Sequence, residues 1–492
     1  MGGSEDKKKL KAIMKTRSVH SSLVPVLLAG LGLLLAGRAP AQTFTTLHSF
    51  TLPNGNGSPN SDGTYPYDGL VLSGNTLYGT ASAGGTNHSG TVFAVNTVGS
   101  SFTTVYNFTG GNDGVDPVAG LILSGNMLYG TAASGGTNGY GTVFKVKTDG
   151  TGFTVLHSFT SLFFSYTNSD GGGPWGGLVL SGNTLYGTTL AGGTNGWGTV
   201  FAVNTDGNGF TNLHNFNGAD GAGAEPQAGL VLSGNTLYGT TYYLTAYPGG
   251  GSGYGTVFAV NTNGTGFTNL YTFTGTTDRG HPTAGLILSG NTLYGTTLNG
   301  TVFAVNTDGM GFTNVYTFTG TYEYTNSDGA NPSAGLILSG NTLYGTAENG
   351  GNGGEGTVFA VNTNGTGFTT LHSFTPLTDF PNNTNIDGAN PIAGLVLSGN
   401  TLYGTAHYGG RSGRGTVFAL SLPVPPSMGF TTAGNKIVLS WPTNASSFAL
   451  QFITNLSSGS WSNVTSGIYI VGTNNVFTNT MNGNAAFFRL MQ

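Results

Sequence analysis

Seven aspartates recur along this chain at similar places: Asp62, Asp113, Asp170, Asp220, Asp278, Asp328 and Asp387. Six precede a proline as Asp-x-x-x-Pro, and Asp220 stands two residues further from its proline. Carboxylates gathered near the mouth of a channel would offer oxygen ligands to a hard cation. An Asx-turn ending each loop explains the same residues without an ion, and no copy has the dense D-x-D-x-D-G spacing of a calcium loop. The turn is the preferred reading, with no metal or other cofactor assigned.

A second set of side chains suits recognition more than reaction. His88, Tyr140, Trp175, Trp197, Tyr242, Tyr243, Tyr247, Tyr254, His407, Tyr408, Arg411 and Arg414 all fall in glycine-rich connections. Tyr and Trp are stiff, with an apolar body and a polar tip, and could stack on sugar rings or anchor a protein partner. Local covering of the loops accounts for them equally well. Enzyme signatures are missing: the chain has no H-E-x-x-H, G-x-S-x-G or P-loop. Zero cysteines exclude thiol catalysis, disulfides and Cys-zinc sites. Glu225, Glu348 and Glu355 are the candidates for a carboxylate pair meeting between repeats.

The elements that must carry these residues are repeats. Gly69-Leu-Val-Leu-Ser-Gly-Asn-Thr-Leu-Tyr-Gly-Thr80 returns with small changes at Gly120, Gly177, Gly229, Gly285, Gly335 and Gly394, at intervals of 50–59 residues. Each unit also holds a Gly-Thr-Val-Phe run (Gly90, Gly141, Gly198, Gly255, Gly300, Gly356, Gly415) and a run led by Phe44, Phe102, Phe153, Phe210, Phe267, Phe312 or Phe368. These short β-branched and aromatic runs, bounded by Gly, Asn, Asp and Pro, predict four strands per unit, and no helical period is sustained. Gly74-Asn75 reads as a two-residue hairpin turn. Apolar runs such as Leu-Val-Leu and Val-Phe-Ala-Val imply strands covered on both faces, as in blades packed around an axis.

The phase of the repeat points to a ring. A lone Phe44–Phe50 strand opens the array, and the last unit stops at Gly415-Thr-Val-Phe-Ala-Leu420, one strand short. Joining the two completes the seventh blade and leaves no unpaired seam. The expected fold is therefore all-β: a seven-bladed β-propeller over residues 42–421, closed by its N-terminal strand. The Gly-Asn and Asp-Gly turns share one face, and the variable-length connections share the other, which is the layout of a binding surface. The Tyr78, Tyr129 and Tyr186 series repeats too faithfully for a site and reads as packing. His48, His157, His214 and His372 alternate with Tyr in other copies, which implies shape and polarity, not catalysis.

Both ends differ from the array. Lys7, Lys8, Lys9, Lys11, Lys15 and Arg17 precede the apolar run Leu23–Ala36 and an Ala39-Pro-Ala41 cleavage pattern, so residues 1–41 read as a signal peptide. Beyond residue 41 the chain holds 7 Lys and Arg against 17 Asp and Glu, which disfavours nucleic acid and anionic membranes. After a Pro-rich linker at 422–427, residues 428–492 carry short strand-like runs and two tryptophans, expected to form a small β-sandwich of immunoglobulin or fibronectin-like type.

Written out, P-x-x-G-L-[VI]-L-S-G-N-[TM]-L-Y-G-T, G-T-V-F-[AK]-[VL] and F-T-x-[LV]-[HY]-x-F resemble the GloVer tandem-repeat proteins of bacteria over about residues 44–420. That resemblance implies export and repeat type, and no activity. Members end in assorted anchoring or sorting segments. The ending Phe487-Phe-Arg-Leu-Met-Gln492 lacks an apolar helix followed by basic residues, unlike such anchors. The functional expectation is an exported, monomeric, non-enzymatic propeller at the cell surface, in the periplasm or outside the cell. It would bind a polysaccharide or surface protein and keep no membrane span after cleavage. A polysaccharide hydrolase or lyase, or a purely structural envelope protein, are the alternatives.

Overall fold

The structure, a computed structural model of the chain, describes residues 42–491 apart from 53–59, 163–165, 219–222, 244–252, 321–324, 380, 424–426, 444–447, 455–460 and 481–485. The expected signal peptide, Asp220 and Tyr247 lie outside the described residues. Among the described residues every regular element is a strand, and no helix is long and apolar enough to cross a membrane.

Residues 44–420 form one compact unit built from seven sheets of the same antiparallel design. In the first repeat Val71–Ser73, Thr76–Ala83, Thr91–Asn96 and Phe102–Asn107 pair in order. The turn between the first two has positive φ at Gly74 but not at Asn75, with Ser73 opposite Thr76, the pattern of a II′-type hairpin. The inner strand is shorter than its five-residue run. Gly69 packs instead against the neighbouring sheet, where an added Cβ would stand 3.1 Å from the Gly394 carbonyl oxygen. Gly120, Gly177, Gly229, Gly285, Gly335 and Gly394 each face the preceding inner glycine in the same way. The innermost strands are thus packed as a closed circle, tightest at Gly229, where an added Cβ would stand 2.9 Å from the Gly177 carbonyl oxygen.

Two further circles say the same. The phenylalanine that opens each outer strand stacks on the His or Tyr of the preceding sheet, with ring centroids 3.7–3.9 Å apart: Phe102 on His48, Phe153 on Tyr106, Phe210 on His157, Phe267 on His214, Phe312 on Tyr271, Phe368 on Tyr316 and Phe44 on His372. In six of the seven copies the threonine of Leu-Tyr-Gly-Thr donates to a carbonyl just before the next inner glycine, as Thr80 does to Ala119 and Thr405 to Asp68 across the seam, while the Thr131 hydroxyl has no such partner. The seam is the expected one: Phe44–Ser49 pairs antiparallel with Thr416–Ser421, so the first strand completes the last sheet. Between sheets lie apolar clusters drawn from both neighbours, such as Tyr78, Val92 and Phe108 with Leu128, Phe144 and Val146. Each fully buried phenylalanine there contributes about 2–3 kcal/mol of burial.

The C-terminal residues form two small sheets. One orders Gly429–Ala433, Lys436–Pro442, Asn474–Thr480 and Ile468–Val471; the other orders Ser462–Asn463, Ala449–Ile453 and Phe487–Met491. Leu439 and Trp441 of the first share a buried cluster with Leu450 and Phe488 of the second. Asn474–Thr480 is a central strand that sequence reading passes over. Its Asn and Thr richness hides the alternation, and only Val476 is fully buried.

Candidate functional site

The repeated aspartates are strand clamps, and they lie at the outer edge of the ring, not at a channel mouth. Asp62 accepts bonds from the Thr51 N–H at 3.0 Å and the Thr51 hydroxyl at 2.6 Å, and pairs with His48 Nε2 at 3.0 Å. Asp113 does the same with Thr109 and the Tyr106 hydroxyl, and Asp328 with Thr319 and Tyr316. Asp170, Asp278 and Asp387 repeat the arrangement with His157, Tyr271 and His372. The Asx-turn expectation is corrected with it: the donors lie upstream, at the end of the preceding outer strand. His and Tyr interchange because either ring stacks on the next phenylalanine and reaches the same carboxylate. Burial pushes the Asp62, Asp113 and Asp170 carboxyls up, yet the bonds from His48, Thr109, Tyr106, His157 and the threonines hold all three below the usual carboxylate range. The six clamps are separate, and among the described residues no cluster of His, Asp or Glu is placed to hold a metal ion.

The fourth repeat departs from the rule. Asn217 replaces the clamp threonine, and the buried His214 Nε2 has no partner among the described residues. Burial alone pulls that imidazole down to about 4, so it is neutral at pH 7.

The opposite design appears on the loop face, around the axis. There the residue before each proline takes left-handed φ in all seven copies: Tyr65, Asp116, Gly173, Glu225, His281, Asn331 and Asn390, at 52–64°. Pre-proline residues avoid helical angles, so the conformation must be imposed from outside. Both backbone groups are pinned: Glu225 donates its N–H to Trp197 of the preceding sheet and accepts from Tyr242 of its own. Tyr65, His281 and Asn390 donate likewise to Arg414, Tyr254 and Glu355. The result is a ring of seven mounts with near-identical backbone and different side chains.

Two of those mounts, Glu225 and Asn390, line a cavity of about 760 Å³ together with the residues after each proline and the ends of second strands. Tyr67, Trp175, Tyr242, Tyr243, His407 and Tyr408 supply aromatic walls; Gln227 and Asn390 supply amides; Asp68, Glu225 and Glu348 supply carboxyls. A side cavity of about 270 Å³ adds Tyr65 and Asp116 beside Trp175. Tyr67 meets Trp175 edge-on at 6.2 Å and His407 at 5.3 Å, and His407 meets Tyr408 at 4.3 Å. Tyr242 contacts Tyr243 at 4.5 Å and His281 at 4.7 Å. His407 is pulled down to about 4 by burial, against a weaker opposing pull from the Pro66 carbonyl, and is uncharged at pH 7. Desolvation raises the Glu225, Glu348 and Asp116 carboxyls. Asp68 is raised by burial too, partly offset by N–H bonds from Gly69 at 2.6 Å and Gly120 at 2.7 Å.

Of the residues expected in a site, Trp175, Tyr242, Tyr243, His407 and Tyr408 reach the cavity. Tyr140, Trp197 and Tyr254 do not; they pack against apolar clusters between sheets. Arg414 lies over the Tyr65 ring at 5.4 Å and bonds its hydroxyl, while Arg411 is exposed on an outer loop, as is His88. Glu355 lies outside the cavity walls. Tyr67 and Asp68 were missed, although a comparison of copies marks them: other units have Val-Ala, Trp-Gly, Gln-Ala, Thr-Ala, Ser-Ala and Ile-Ala there.

Fold and site together define an all-β tandem-repeat propeller whose identical scaffold presents one non-identical mouth. The chain belongs to the Gloeobacter/Verrucomicrobia repeat family, whose profile matches residues 30–163, 160–324 and 243–435. No curated protein matches the chain. Among solved structures it is similar to an oligogalacturonate lyase from Vibrio parahaemolyticus, at 10% identity and TM-score 0.46, over 78% of this chain and 98% of the other. BamB from Moraxella catarrhalis matches at 15% identity and TM-score 0.40, over 73% and 85%. The computationally designed Ika8 protein matches at 15% identity and TM-score 0.38, over 73% and 98%. The fold rests on the strand pairing and the closed circles of contacts, not on these likenesses.

Proposed function

We propose that this is an exported, non-enzymatic propeller that binds glycan at its loop-face mouth. The observation that carries the reading is the convergence of Tyr67, Trp175, Tyr242, Tyr243, His407 and Tyr408, from four different sheets, on one open cavity with amides and carboxyls between them. Sugar rings offer apolar faces to stack and hydroxyls that need such polar partners. Export is supported by the signal-like N-terminus, and the C-terminal sheets serve as an accessory module. A glycan array followed by calorimetry on the exported chain tests the reading. Binding without turnover, reduced about tenfold or more by Trp175→Ala, is the expected result. Absence of binding to every glycan class would remove it in favour of a protein partner or a structural role.

One observation favours a second reading. Glu225 and Glu348 share the cavity, and burial raises both carboxyls, the condition for a general acid in glycoside hydrolysis. Release of reducing sugar that disappears in Glu348→Gln would select a hydrolase.

A further inference from the structure

The cavity pairs carboxyls with aromatic rings and holds no lysine or arginine among its wall residues. Glu348 acts on Tyr67, whose hydroxyl is raised first by burial and then by the fields of Glu348, Asp68 and Tyr408. Tyr67 in turn contacts Trp175 and His407. On another side, Tyr242 is raised by burial and then by Tyr243 and Glu225. Two half-sites result, one of Glu348 with Tyr67 and Trp175, the other of Glu225 with Tyr242 and Tyr243. Neither imidazole nearby supplies a counter-cation to the walls: His407 is neutral, and His281, bonded through Nδ1 to the Tyr242 carbonyl, is not a wall residue. Arg414 lies over the Tyr65 ring, bonds its hydroxyl and is not a wall residue.

A ring face and a carboxylate together complement one chemical group above others, the ammonium ion. The face attracts the cation through its quadrupole, and the carboxylate balances the charge. A uronate would bring further negative charge into a cavity with nothing to answer it. A neutral hydroxyl would gain only an ordinary hydrogen bond. We infer that this mouth selects amine-bearing glycans, with the Glu348 and Glu225 half-sites each receiving the ammonium of a non-acetylated amino sugar.

The inference rests on the glycan reading above, and the test separates the two. Full-length protein is titrated at pH 7 with matched oligomers of glucosamine, N-acetylglucosamine, glucose and galacturonate. Glucosamine oligomers are expected to bind about tenfold tighter than glucose oligomers, and galacturonate oligomers most weakly. In Glu348→Gln and Glu225→Gln that preference should fall several-fold, while Arg411→Ala, remote from the cavity, retains it. Thermal melts on each variant confirm that it is folded. Equal binding of glucosamine, its acetylated form and glucose would overturn the inference and leave the glycan reading standing, as would a preference for galacturonate. No binding of any oligomer would overturn the inference, and silence across the glycan array as well would overturn both.

Discussion

The rim and the mouth of this propeller use carboxylates in opposite ways. At the rim, Asp62, Asp113 and Asp170 sit among hydrogen-bond donors that favour the ionised form and hold it below its ordinary range. At the mouth, burial pushes Asp116 and Glu225 up with no donor opposing it, and pushes Glu348 up against a weaker opposing pull from Ser333. Burial acts on both sets; the donors decide the sign. A carboxylate whose charge is satisfied by its own chain is finished structure. One whose charge is left unsatisfied costs stability and is available to a ligand. The backbone makes the same contrast. The six rim clamps repeat with His–Tyr interchange and one copy departs at Asn217, whereas the pre-proline mounts share one strained conformation and carry Tyr, Asp, Gly, Glu, His or Asn.

The contrast can be broken most severely at the seam. Deleting residues 42–50 removes Phe50, Leu47 and the Phe44 stack on His372, and exposes the Thr416–Ser421 strand edge. A loss of roughly 5 kcal/mol or more is expected in urea melts. An unchanged midpoint would mean that the ring does not depend on this strand.

A single clamp comes next. Asp113→Ala strands the Thr109 N–H and hydroxyl and the Tyr106 hydroxyl, and should cost about 2–4 kcal/mol. Asp116→Ala, three residues away at the mouth, should cost less than about 1 kcal/mol. Equal losses at the two positions would erase the distinction drawn here.

Acid should act on the two sets with opposite sign. The folded values of Asp62, Asp113 and Asp170 lie below their unfolded ones. Their stabilisation is therefore present above the ordinary aspartate range near pH 4 and is lost as pH falls through the folded values. Glu225 and Glu348 have raised folded values, so their contribution is present below their unfolded pKa and is lost as pH rises through the folded ones. Glu348→Gln should accordingly be neutral or slightly stabilising at pH 7, with its advantage shrinking toward pH 4 in parallel melts. A clear destabilisation at pH 7 would assign Glu348 to the scaffold.

The smallest effect is expected for exchange within a clamp. His157→Tyr keeps both the stack on Phe210 and the reach to Asp170, and should change stability by less than about 1 kcal/mol. His157→Leu keeps the bulk and loses the bond, and should cost more.

The sequence by itself determined the repeat, the four strands of each unit, the II′-compatible Gly-Asn turn and the closure. Strand period, turn chemistry and repeat phase are local or countable properties. Strand order also assigns Trp175, Tyr242, Tyr243, His407 and Tyr408 to the loop face, where they line the cavity. The role of the aspartates was not legible. Asp113 is four residues from Thr109, but Asp387 is twelve from Thr375, so spacing hides a bond that the fold makes identical. Nor could spacing tell Trp175, which opens into the cavity, from Trp197, which packs between sheets. Only the closed ring brings Glu348 beside Tyr67, 281 residues away in the chain. Closure joins the first and last sheets, and the mouth exists only once the residues after all seven prolines face one axis.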